Sequence, residues 1–108
     1  MSHKIKVRIP KGTVITGSFP GPAKVAGRTY VVEIQPHHLY AGYLPNDDWD
    51  RRHGLGVAAS VSWTGAGGYW HEADWEDVEV IEGADLVEFK FPPVSRETLA
   101  AALEPEAH

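Results

Sequence analysis

Val61-Ser-Trp-Thr-Gly-Ala-Gly-Gly-Tyr-Trp-His-Glu-Ala-Asp-Trp-Glu-Asp-Val-Glu-Val-Ile81 is the stretch that decides the fold. Val61 and Trp63 alternate with Ser62 and Thr64, and a period of two marks a strand with one buried face. Gly65-Ala66-Gly67-Gly68 is a tight glycine turn of the kind that joins antiparallel strands. Tyr69 to Glu72 begins the return strand. Ala73 to Asp77 breaks the alternation and predicts a single 3-10 turn. Val78 to Ile81 resumes a strand.

Upstream, Val57 and Ala59 extend the phase of Val61 and Trp63, so Trp63 is assigned to the core. At the N-terminus Ile5, Val7 and Ile9 alternate with Lys4, Lys6 and Arg8 in a half-buried strand, which Pro10 and Gly12 end. Thr13 to Thr16 is a short β-prone piece. Gly17 to Pro22 is a loop, because proline and glycine interrupt a ladder. Arg28 to Gln35 is the densest strand in β-branched and aromatic residues, closed by Pro36. Downstream, Glu82 to Asp85 is a turn and Leu86 to Phe91 is expected to be a last strand. Pro92-Pro93 stops it. Ser95 caps a short helix over Arg96 to Glu104, ended by Pro105.

Residues 36–56 (PHHLYAGYLPNDDWDRRHGLG) have no sustained period and are long for a connection. Their aromatics argue against disorder. An ordered excursion is expected here, with one helical turn near Asp47, Asp48 and Trp49.

The chain is thus one β-rich unit over residues 1–94 with a C-terminal helix and tail over 95–108. Its class is all-β or β-dominated α+β, and the expected form is a bent antiparallel barrel of five or six strands. The order of elements in Val61–Ile81 resembles the end of a Src-homology-3-like (SH3-like) barrel. Trp63, Gly67, Gly68, Trp70, the Trp75–Asp77 turn and Val78–Ile81 carry the likeness, over 21 of the 108 residues. It implies a fold and no activity. In such barrels an aromatic groove between a long loop and the hairpin region often binds extended peptide.

The chain contains no cysteine, which excludes disulfides, thiolate metal sites and cysteine nucleophiles. No apolar run approaches the roughly 18 residues of a membrane span. The N-terminus lacks the apolar centre of a signal peptide, so a cytoplasmic protein is expected. The net charge of −5 is unevenly spread. Residues 1–36 hold six bases and one acid, whereas residues 37–108 hold four bases and fourteen acids. Either strands of opposite charge lie side by side and neutralise one another, or the molecule has two oppositely charged faces.

The candidate binding residues are the aromatics Tyr40, Tyr43, Trp49, Tyr69 and Trp70 and the acids Asp47, Asp48, Glu72, Asp74 and Glu76. Tyr and Trp combine a large apolar body with a polar tip and so favour shallow grooves. His37, His38, His53 and His71 are weak metal candidates, since no HxH, HxxxH or HExxH spacing occurs. Neighbours on an extended strand point to opposite faces, so His37 and His38 are not expected to share an ion. Paired acids such as Glu72 and Glu76 suit glycosidase chemistry only when a cleft separates their pKa values. The serines lack a nucleophile-elbow context, and Lys11-Gly12-Thr13 is no phosphate loop. No cofactor is called for.

The sequence therefore points to a non-enzymatic interaction module. Its partner would be a protein with a basic or Pro-rich surface. A small accessory or inhibitory protein, including a phage- or plasmid-borne one, fits this design. Nucleic-acid mimicry by the acids of residues 72–88 is a sharper form of the same idea. Other classes are nucleic-acid or nucleotide binding through Lys4, Lys6 and Arg8, and a metal-dependent enzyme using the loop histidines. An exposed strand edge or aromatic patch would favour a homodimer.

Overall fold

The computed structural model describes residues 4–17, 23–65 and 68–104. The alternation of Ile5, Val7 and Ile9 produces the central strand of the larger sheet. This strand, β1 (Ile5–Ile9), has all three apolar side chains fully buried and its basic side chains at the surface. It pairs antiparallel with β4 (Tyr30–Ile34) on one side and with β8 (Glu79–Glu82) on the other. Lys6 and Val7 flank a register irregularity against β8, which adds local twist. A two-stranded ribbon is made by β2 (Val14–Ile15) and β3 (Lys24–Val25).

The remaining sheet holds β5 (Leu39–Tyr40), β6 (Ser60–Thr64) and β7 (Trp70–Asp74), in that order and antiparallel. The expected hairpin is therefore formed by β6 and β7, although Ala66 and Gly67 of its turn lie outside the described residues. So do Ser18 to Pro22 of the second expected loop and Pro105. A bridge between Thr16 and Glu72 ties the outer edge of β7 to the ribbon.

One core joins these sheets. Ile5, Val7, Ile9, Ile34, Val61 and Trp63 form its centre, with Ala73 from β7. Tyr30 meets Trp63 edge to face at 6.4 Å between ring centroids, which locks β4 against β6. Burying each large aliphatic side chain contributes about 1.5–3 kcal/mol, so the three of β1 together are comparable with the net stability of a small domain.

The class is β-dominated, with three small antiparallel sheets and two α-helices among the described residues. A closed barrel is not formed among the described residues. Strands β2, β3 and β5 are two residues each, too short to carry a ladder around a cylinder. The sheets meet through side chains such as Tyr30 and Trp63 instead. Leu86 to Phe91 also departs from expectation, because it is not a strand. A left-handed turn at Gly83 redirects the chain into a 3-10 turn over Ala84–Leu86. Val87 and Phe89 beyond it still pack inward, while Phe91 is exposed. Val87 lies on the core and Phe89 meets the edge of Trp75 at 5.3 Å.

The excursion over 36–56 is ordered, as its aromatics suggested. It opens with a 3-10 turn at Pro36–His38 and contains helix α1 (Asp48–Arg52). Asp47 caps α1, accepting a 2.8 Å hydrogen bond from the Asp50 amide. Helix α2 (Arg96–Leu103) follows a segment threaded into the fold. The Val94 amide donates to Ala41 O and the Ala59 amide donates to Val94 O, both at 2.8 Å.

Candidate functional site

Alternation sorts the side chains of the β5–β6–β7 sheet onto two faces. Leu39, Val61 and Ala73 stand opposite one another on the core face, with Trp63 beside His71. The other face carries Tyr40, Ser60 and Asp74 in one row, Ser62 and Glu72 in the next, and Thr64 and Trp70 in the last. That second face is the floor of a cavity of about 370 Å³. Tyr40 and Trp70, each half exposed, form its walls, and His37 and His38 form its rim.

The floor is polar and ordered. Ser60 is buried and its Oγ donates to Glu72 Oε1 at 2.6 Å. Ser62 Oγ donates to His38 O at 3.3 Å. Thr16 exchanges backbone hydrogen bonds with Glu72 at 2.8 and 2.9 Å, so the backbone beneath the carboxylate is held from both neighbouring strands. Trp70 is seated by Gly17. A Cβ there would lie 2.7 Å from Trp70 Cζ3, and Gly17 has φ +75°, so both ring packing and backbone require glycine.

His37 and His38 sit in a turn rather than on a strand, so their rings are brought together instead of being sent to opposite faces. Their centroids lie 4.1 Å apart. The Gln35 amide donates to His38 Nδ1 at 2.9 Å, which makes that nitrogen an acceptor. Burial first, and the neighbouring His37 second, hold His38 below the usual histidine range.

A second cavity of about 390 Å³ lies on the far side of Leu39 and Tyr40. It is lined by Tyr43 and Phe91 with Lys90 at its margin, and Phe91 is 65% exposed. Leu39 and Tyr40 line both cavities, and Tyr40 is the more exposed of the two. Together the cavities form an aromatic surface running from Trp70 through Tyr40 and Tyr43 to Phe91.

Of the residues singled out from sequence, Tyr40, Tyr43, Trp70 and Glu72 are thus gathered. Others are placed elsewhere. Trp49 lies on α1 and stacks on His53 at 3.9 Å. Tyr69 is exposed at the start of the return strand and lines neither cavity. His71 packs against Trp63 at 5.9 Å, in the space left by the missing side chain of Gly65. Asp47 caps α1 and Asp48 pairs with Arg51 at 3.0 Å. Asp74, Glu76 and Asp77 converge on Arg96, with Asp77 closest at 2.8 Å. Glu76 also accepts the Arg96 amide at 2.7 Å, at the start of α2. Burial, with Asp77 next, pushes Asp74 above the usual carboxylate range despite Arg96. Sequence reasoning missed Phe91, Ser60 and Ser62 as site residues. The serines were visible only as the wet face of a strand, and Phe91 was assigned to a strand that does not form.

The charged halves of the sequence meet in space through two pairs, Lys6 with Glu82 at 3.1 Å and Arg8 with Glu79 at 2.9 Å, while Lys4 pairs with Glu33, the one acid of the basic half, at 3.3 Å. Each pair is exposed and adds little stability. Their joint effect is to neutralise the face that carries the N-terminal bases. No protein-family model matches this chain, and no curated protein or solved structure matches it.

Proposed function

We propose that this protein is a non-enzymatic interaction module that holds an extended segment of a partner protein along the Trp70–Tyr40–Tyr43–Phe91 surface. The observation that carries this reading is the shared wall. Tyr40, with Leu39 beside it, lines two cavities of similar size, so a chain crossing Tyr40 would place one side chain in each. Alternating pockets beside a sheet edge are how extended peptides are read. Aromatic walls supply contact area at low entropic cost. A small accessory or inhibitory role suits a module of this size that carries such a surface. The Src-homology-3-like layout belongs to the same reading. Its support is the order of β6, glycine turn, β7, 3-10 turn and β8, and its departure is the absence of closure.

Paired charges on β1, β4 and β8 favour this reading over nucleic-acid binding by the basic strand or phosphate mimicry by the acids. The test is selection of randomised 12-residue peptides displayed on phage, followed by titration of the winners. Tyr40→Ala should weaken the selected peptides at least tenfold, because it opens both cavities at once. Trp49→Ala should leave them unchanged. Failure to enrich any peptide sequence would overturn the reading.

A further inference from the structure

Most carboxylates on the strands of this protein have a basic partner. Glu33, Glu79 and Glu82 each have one, and Asp74 lies within 3.7 Å of Arg96. Glu72 is the exception at the centre of the candidate surface. It is half-buried, and among the described residues its only side-chain partner is the hydroxyl of Ser60. That bond occupies Oε1 and leaves Oε2 without a donor. The Ser60 and Ser62 hydroxyls have spent their protons on Glu72 and on His38 O, so they too present lone pairs. The floor between Tyr40 and Trp70 thus offers acceptors and a negative charge, and no Lys or Arg lines the cavity. Its walls are aromatic faces, whose quadrupoles also attract cations.

From this arrangement we infer that the Tyr40–Trp70 cavity receives a basic side chain, lysine or arginine, of the bound partner segment, with Glu72 as its counter-ion. The inference rests on the peptide-binding reading above and names the chemistry of one of its two pockets. Charge complementarity fixes the occupant. Asp74, Glu76 and Asp77 share a single guanidinium nearby, so the surroundings of Glu72 carry excess negative charge. The cavity, about 370 Å³, lies at the small end of the roughly 300–1,000 Å³ range of ligand sites. Such a volume suits one side-chain terminus and its stem. The adjoining cavity, walled by Tyr43 and Phe91, would take the apolar neighbour.

The experiment repeats the randomised 12-residue selection on the whole protein and on its Glu72→Gln variant. Glutamine keeps the length and the acceptor for Ser60 but removes the charge. Peptides selected on the wild type should contain a lysine or arginine at a fixed distance from an apolar residue. Their affinity should fall about tenfold on Glu72→Gln or Trp70→Ala. It should also weaken with added salt in the wild type and respond less to salt in Glu72→Gln. Replacing the peptide's basic residue with norleucine should weaken binding to the wild type and have little further effect on Glu72→Gln. Selected peptides that lack a basic residue, or bind both proteins alike, would overturn the inference while leaving the peptide-binding reading intact. Saturation of the cavity by tetramethylammonium with no competition against the peptide would overturn it too, because the cation site would then serve a small molecule. An empty selection sinks the broader reading first. Circular-dichroism melting of both variants confirms that each is folded before titration.

Discussion

Two residues show how single side chains set the site. Gly17 holds a left-handed backbone against the ring of Trp70. Gly17→Ala would strain the backbone by about 1 kcal/mol and push the indole off its seat. The expected outcome is a lower melting temperature, a changed Trp fluorescence spectrum and weaker binding of the selected peptides. His71 is the opposite case, a polar group whose position costs stability. Its Nδ1 is buried and has no hydrogen-bond partner among the described residues. The desolvation of such an atom costs roughly 1–3 kcal/mol. His71→Phe keeps an aromatic ring beside Trp63 and removes the orphan. It should raise stability by about 1 kcal/mol in urea unfolding, provided that the pocket left by Gly65 admits the slightly larger ring.

At the scale of elements, α2 depends on its first turn. Ser95 Oγ accepts from the Thr98 amide at 3.0 Å, and Glu76 accepts the Arg96 amide. Ser95→Ala should cost about 0.5–2 kcal/mol, read as a loss of stability by denaturant titration. The start of α2 was legible in the sequence, because Ser95 is a capping residue before a helix-compatible run, whereas around Asp47 the sequence told only of a helical turn and not of its cap. The strands with strict alternation were legible for the same reason. β1 and β6 write their buried face in the order of residues, and so does the wet face that became the cavity floor. Leu86 to Phe91 shows where the pattern ran out. It has strand composition, but a strand also needs a partner in register, and the left-handed turn at Gly83 carries the chain away from β8. The same limit hid the pairing of Tyr40 with Ser60. Local pattern told which face each side chain occupies, and the glycine turn told that β7 returns beside β6, but neither told which strand distant in the chain lies alongside. Strand alternation does not apply to the histidine pair, because Pro36 starts a turn there, which places neighbouring rings together rather than on opposite sides.

For the whole molecule, stability is concentrated in the core shared by the two larger sheets, and its pH dependence is set by groups at their margins. Ile34 is essentially fully buried between β1 and the β6 face, so Ile34→Ala should cost about 2–5 kcal/mol, enough to unfold much of a domain of marginal stability. Two titrating groups act in opposite directions. Asp74 is raised in the folded state, so its contribution to stability is present at low pH and is lost as pH rises through the folded value. Asp74→Asn should therefore stabilise the protein at neutral pH, and solvent screening keeps the gain to roughly 0.5 kcal/mol. His38 is lowered in the folded state by burial and by His37. Its unfolded form takes up a proton near the ordinary value of 6.5, and the folded form only at lower pH. Its contribution is thus complete above pH 6.5 and is lost as pH falls through the folded value. Asn at this position would retain an acceptor for the Gln35 amide without titrating. The difference in unfolding free energy between wild type and His38→Asn should then be constant above neutrality and shift against the wild type as pH falls below about 6.5, where the wild type alone must bury an imidazole that the unfolded chain would protonate. A difference that stays constant down to pH 5 would show that the rim of the cavity does not hold His38 in its neutral form.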